Sequence, residues 1–209
     1  MVRRAHNYEK ESEAFYDRLA DHFDDSFDGF LASFFKKFIL KQLEYPQNSR
    51  LLDVGCANGR LLEMLNHKQA LEGTGLDISS NMIKIARIKH PDHKFIQGNA
   101  QSLPFEDASY DVITCSASFH HFPDPDRFLE EARRVLASGG KLVIAEIHLP
   151  VITRLYNWRL NRFSTEGDVK VYTSRELRQK FEKQGWQLLR KKIFFQIQYY
   201  EITPKAKEE

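Results

Sequence analysis

Apolar residues open the chain at helical spacing. Phe15, Leu19, Phe23, Phe27, Phe34 and Phe38 stand four or seven apart, which predicts helix from about Glu11 to Leu43, with Gly29 breaking it in two. Pro46 and Asn48 mark a loop, and the pattern then shortens. Residues 50–54 form an apolar strand ending in an acid, and a helix follows from Gly59 with Leu61, Leu62 and Leu65 facing inward. Strands are expected at 73–79, 93–100, 110–118 and 141–147. The helix between the first two of these is capped by Ser79 or Ser80, carries Met82, Ile85 and Ile88, and ends before Pro91. Asp124-Pro125 opens another helix, whose Phe128, Leu129, Ala132, Val135 and Leu136 form one face and which Gly139-Gly140 closes. Beyond Pro150 come a helix with apolar and arginine faces (151–163), a loop, and a helix capped by Ser174 and stopped by Gly185. Residues 186–202 have the composition of two strands, with no Gly, Pro or Asn to mark the bend.

Strand and helix alternate, so the strands are parallel with right-handed crossovers, in an open, doubly wound α/β sheet. Ligands of such sheets sit at the carboxyl ends of the strands, and the notable loops all leave such ends. The 209 residues are 42% hydrophobic and 29% charged, the mix of one globular domain with a small appendage. A net charge of +2, with short scattered basic clusters, gives no pull toward nucleic acid or an anionic membrane. Two cysteines, Cys56 and Cys115, are too few for a disulfide framework and lack zinc-ligand spacing. No segment reads as a signal peptide or membrane span, so a cytoplasmic location is expected.

The first strand runs into "LLDVGCANG" (51–59), where Gly55 and Gly59 bracket three small residues. Such a turn frees helix N–H groups for a polar ligand, although a turn built only for packing would look the same. Its G-x-x-x-G spacing departs from the G-x-G-x-x-G of a dinucleotide-binding loop, with Ala57 at the centre. Asp77 ends the second strand about eighteen residues later, where a carboxylate can accept both hydroxyls of a ribose. "QGNAQSLPF" (97–105) follows the third strand and offers the Asn99 side chain and the Ala100 N–H to a base edge. "CSASFHHFPDP" (115–125) follows the fourth.

With these segments in order, residues 50–147 resemble the class I S-adenosylmethionine (SAM)-dependent methyltransferases, most closely a small-molecule branch similar to the ubiquinone/menaquinone-biosynthesis enzymes. The resemblance implies a Rossmann-like, seven-stranded, mostly parallel sheet with helices on both faces and an N-terminal helical extension. It divides the chain into a helical cap or lid (1–45), a SAM-binding core (50–147), an acceptor-side insert (150–172) and a final helix with strands (174–202). By the same resemblance, Gly55, Cys56, Ala57, Asn58 and Gly59 cradle the methionine part of SAM, with Asp53 near its ammonium. Asp77 holds the ribose, Ile78 and Met82 flank the adenine, and Asn99 and Ala100 address its edge. Ser116 borders the methionyl group, His121 lines the acceptor pocket, and Tyr16, with Phe23, is placed for a lid. S-adenosylhomocysteine is the implied product, and no metal is expected.

A sulfonium carries its own leaving group, so orientation supplies most of the help. A hydroxyl or phenol acceptor gains from a base, and His120 and His121 are the candidates; an amine or thiolate hardly needs one. Tyr156 and Trp158, with Arg154, Arg159 and Arg162, suit an anionic or aromatic small molecule. Two other readings stay open: a non-catalytic SAM-binding or partner subunit, and an NAD-dependent oxidoreductase, against which the missing pyrophosphate glycines argue.

Overall fold

The computed structural model describes residues 7–164 and 167–206. Helix α1 (Tyr8–Leu19), a 3-10 turn (Ala20–Asp25) and α2 (Phe27–Gln42) precede the sheet. Then come β1 (Ser49–Val54), α3 (Arg60–Lys68), β2 (Leu71–Asp77), α4 (Ser80–Lys89), β3 (Lys94–Gln97), β4 (Tyr110–Ser116), α5 (Pro125–Val135) and β5 (Leu136–Ile147). The chain continues through α6 (Thr153–Phe163), α7 (Ser174–Lys183), β6 (Trp186–Phe194) and β7 (Ile197–Pro204).

Seven strands form one sheet in the order β3-β2-β1-β4-β5-β7-β6. The first five are parallel, and β7 lies antiparallel between β5 and β6. The apolar runs of β1, β4 and β5 are buried on both faces, as their sequence requires. On one face Phe128, Leu129, Leu177 and Phe181 of α5 and α7 pack down; on the other, Ile39, Leu61, Leu65 and Ile83 of α2, α3 and α4 do. Each such fully buried side chain contributes about 1.5–3 kcal/mol. Strand order reverses between β1 and β4, which opens a crevice at their carboxyl ends.

Several boundaries differ from the sequence reading. The break in the leading helix is the 3-10 turn, not Gly29, which lies in the first turn of α2 behind its N-cap Ser26. Gly29 is there for close packing, since a Cβ would stand 1.8 Å from the Phe23 carbonyl oxygen. Helix α5 ends at Val135 because Leu136 already pairs with Tyr110. The register shifts before Lys141 pairs with Val112, and Gly139 supplies a left-handed residue (φ 75°) in the irregular stretch between. Thr173, rather than Ser174, caps α7 in a capping box with Glu176. Among the described residues, no helix is long and apolar enough to cross a membrane.

Candidate active site

A mostly apolar cavity of about 870 Å3 opens at the carboxyl ends of β1, β2 and β4, with α1 and α2 over it. Its floor is the β1–α3 loop. Gly55 (φ 73°) must be glycine, because a Cβ would stand 2.2 Å from the Ser118 hydroxyl. Ala57 adopts φ 47°, a left-handed conformation that costs roughly 1–2 kcal/mol for a residue with a Cβ. Its N–H donates to Asp77 Oδ2 (2.8 Å), and the Ser79 N–H donates to Asp77 Oδ1 (2.9 Å). One carboxylate thus ties the glycine loop to the start of α4. Burial raises its pKa. Helix α1 is fastened over the same corner by Asp17, which accepts from the Ser79 hydroxyl (2.6 Å) and the Asn81 N–H (3.0 Å).

Beside Asp77, Ile78, Asn99 and Ala100 line the wall. Asn99 donates to Glu9 Oε1 (2.9 Å) and accepts from the Gln101 N–H (2.8 Å). At the glycine loop the wall includes Lys36 of α2, only 6% exposed. Among the described residues, nothing hydrogen-bonds its ammonium, which lies over the Phe23 ring (5.4 Å). Burial lowers its pKa, against the charges of Asp53 and Asp24. Behind the loop, burial pushes the Asp53 carboxyl up to about 7, although it accepts from Thr114 Oγ1 (2.7 Å).

The wall also holds His120 and His121, with ring centroids 4.1 Å apart. His120 Nδ1 meets Glu146 Oε2 (2.8 Å), while Glu146 Oε1 accepts the Phe119 N–H (2.8 Å). Asp168 Oδ1 lies 3.6 Å from His120 Nε2 and 3.3 Å from His121 Nδ1. The remaining nitrogen, His121 Nε2, meets the Tyr16 hydroxyl (3.0 Å), and those two rings pack edge to face. Burial opposes charge on His120, but Glu146 and Asp168 overcome it and lift its pKa to about 9. Burial and the neighbouring His120 charge lower the His121 pKa. Near neutral pH, His120 is therefore the cation and His121 the free base.

This pairing has a consequence for stability. The folded state holds the His120 proton more tightly than the unfolded chain, whose histidine titrates near 6.5. The contribution is therefore complete below about pH 6.5 and lost as pH rises through about 9, on the order of 3 kcal/mol at most. Urea midpoints of the wild type should fall across that window, and those of His120→Gln should fall much less, the remainder near pH 7 coming from the Asp53 carboxyl. A parallel decline in both proteins would remove this role from His120.

Of the residues singled out from the sequence, Tyr16, Gly55, Ala57, Asp77, Ile78, Asn99, Ala100, Ser116, His120 and His121 share the cavity wall. Asp53, Cys56, Asn58, Gly59 and Met82 stand behind it. Cys56 fills the space over Gly75. Asn58 donates to Asp24 (2.8 Å). Gly59 makes room for the Phe95 ring, and Met82 packs with Ala20 and Phe23. Three charged residues on or behind the wall were not singled out. Lys36 and Glu146 each carried a signal, a charge on the buried face of a helix and in a buried strand. Asp168 sits in a loop without a pattern.

Residues 52–144 match a family described as a methyltransferase domain. The demethylmenaquinone methyltransferase of Thermotoga maritima is 38% identical over 129 residues, 61% of this chain and 56% of that protein. That of Shouchella clausii is 30% identical over 161 residues, 72% of this chain and 66% of that protein. Among solved structures, the YcgJ protein of Bacillus subtilis shares the fold with a TM-score of 0.67 and 27% identity, over 77% of this chain and 72% of that one. The chain spans little more than half the length of the first of these relatives.

Proposed function

We propose that the chain, whose residues 52–144 match a methyltransferase domain, is a SAM-dependent methyltransferase of the class I kind and methylates a small-molecule acceptor held against Tyr16, His120 and His121. The observation that carries this reading is a cavity whose wall holds a carboxylate, a buried ammonium with no hydrogen bond among the described residues, and a neutral imidazole. SAM has the matching groups: a ribose diol for Asp77, a carboxylate for Lys36, and an adenine for the wall of Ile78, Asn99 and Ala100. Asp53, Cys56, Asn58, Gly59 and Met82 serve it by shaping and backing the loop.

When bound, SAM supplies an electrophilic methyl on a sulfonium. The protein's part is to orient and to handle one proton. The apolar wall excludes water from the nucleophile. Asp168, 3.3 Å from His121 Nδ1, favours the proton on that nitrogen. His121 Nε2 is then free to accept a proton, directly or through the Tyr16 hydroxyl that it already meets. His120, fixed by Glu146, keeps its own proton and places its neighbour. Helices α1 and α2 act as the lid, and residues 150–172 shape the acceptor side. An aromatic, quinone-like acceptor suits the apolar lining and agrees with the demethylmenaquinone in the names of the relatives. Two buried free cysteines fit a reducing cytoplasm.

The test is transfer of labelled methyl from SAM to a lipid-inclusive metabolite extract. One labelled product is expected. SAM binding without any product would favour a non-catalytic subunit, and a melting point raised by NAD but not SAM would favour an oxidoreductase.

A further inference from the structure

Three segments far apart in sequence meet at the mouth of the cavity. Leu31 and Phe34 of α2, Ile152 ahead of α6, and Phe194 and Phe195 at the β6–β7 turn all line it. Their outward side is apolar as well. Phe27, Phe30, Leu31 and Phe34 form a solvent-facing stripe at helical spacing on α2, whose other face is in the core. Leu155 and Trp158 are exposed on α6, and Phe195 is 85% exposed. Scattered apolar residues on a surface are ordinary, but a cluster from three elements around one opening marks a contact surface.

Charge identifies the occupant. The exposed charges on these segments are Lys37 and Lys41 of α2, Arg154, Arg159 and Arg162 of α6, and Lys191 and Lys192 of β6; of the last two only Lys192 is on the α2 side, since Lys191 lies over the Tyr200 ring on the other face of the sheet. Residues 151–163 and 190–197 contain no Asp or Glu, and the one acid of α2, Asp28, faces the cavity. The whole chain carries only +2, so this positive rim is balanced by acids elsewhere and is invisible in the total. We propose that this face docks on an anionic lipid surface. The aromatic side chains enter the interface and the lysines and arginines meet the headgroups, so that the cavity opens toward the bilayer. A second copy fits poorly, since a two-fold contact would set these cations against one another. Nucleic acid would leave the stripe on α2 without a partner. The inference goes beyond methyl transfer and does not depend on it.

Co-sedimentation of the full chain with vesicles tests it. Binding to phosphatidylcholine vesicles containing phosphatidylglycerol is expected, with weak binding to phosphatidylcholine alone and release at high salt. Arg154→Gln with Arg159→Gln should lower affinity about thirtyfold, each cation near the surface being worth about fivefold. Phe27→Ser with Phe30→Ser, and separately Phe195→Ser, should each lower it at least tenfold with an unchanged melting curve; these side chains are exposed, so the fold does not need them. Equal binding to both vesicle types, or wild-type binding by the serine variants, overturns the proposal. So does a wild-type dimer that the serine variants convert to monomer without any vesicle binding, which would make the face a self-contact.

Discussion

Asp77→Ala is expected to weaken SAM binding by at least about a hundredfold, measured by calorimetric titration. The carboxylate has about four acceptor positions. Two are taken by the Ala57 and Ser79 N–H groups, which leaves acceptors for a ribose diol. A hydrogen bond to a charged group contributes about 1.5–3 kcal/mol, so losing two costs a factor well beyond a hundred. The cost in stability should be partly offset. Alanine strands two buried donors at about 1–3 kcal/mol each, but it also removes a carboxylate whose burial is itself unfavourable. Full affinity in a folded Asp77→Ala protein would end the ribose assignment.

The second large effect is at Lys36. Lys36→Met should lower SAM affinity by roughly ten- to a hundredfold, the range of one charge-assisted contact. It should do so while leaving the melting point unchanged or raising it, because a desolvated ammonium gives way to an apolar chain of similar length. Opposite movements of affinity and stability separate this outcome from simple unfolding. Decarboxylated SAM provides the matching deletion on the ligand. The wild type should bind it as poorly as the variant binds SAM, and the variant should bind both alike. If the variant still prefers SAM by the wild-type factor, Lys36 does not face the carboxylate.

The parallel core was readable because its signals are local. Apolar runs bounded by loop residues, the Ser79 and Asp124 caps, and Gly55 in a left-handed turn each report their own neighbourhood. Legibility failed where tertiary contacts decide. The bend between β6 and β7 is made by Phe195 at φ 49°, a residue that no turn preference marks. Gly29 looked like a helix breaker, but its role is to let the Phe23 carbonyl approach. The end of α5 is set by the pairing of Leu136 with Tyr110 across the sheet. On the cavity wall, the positions of the glycine loop, Asp77, Asn99 and the histidine pair were legible because motif order places them at strand ends. The opposite charge preferences of His120 and His121 were not, because they depend on Glu146 and Asp168, which lie 26 and 48 positions beyond His120. The basic, aromatic rim was hidden for the same reason: its three parts are joined only by the fold.

A crystal structure of the chain with S-adenosylhomocysteine is the most direct measurement. It should show the ribose hydroxyls on the Asp77 carboxylate, the base beside Ile78 and Ala100, and the amino-acid carboxylate on the Lys36 ammonium. A nucleoside bound elsewhere, or one in the cavity with its sugar away from Asp77, would contradict the account.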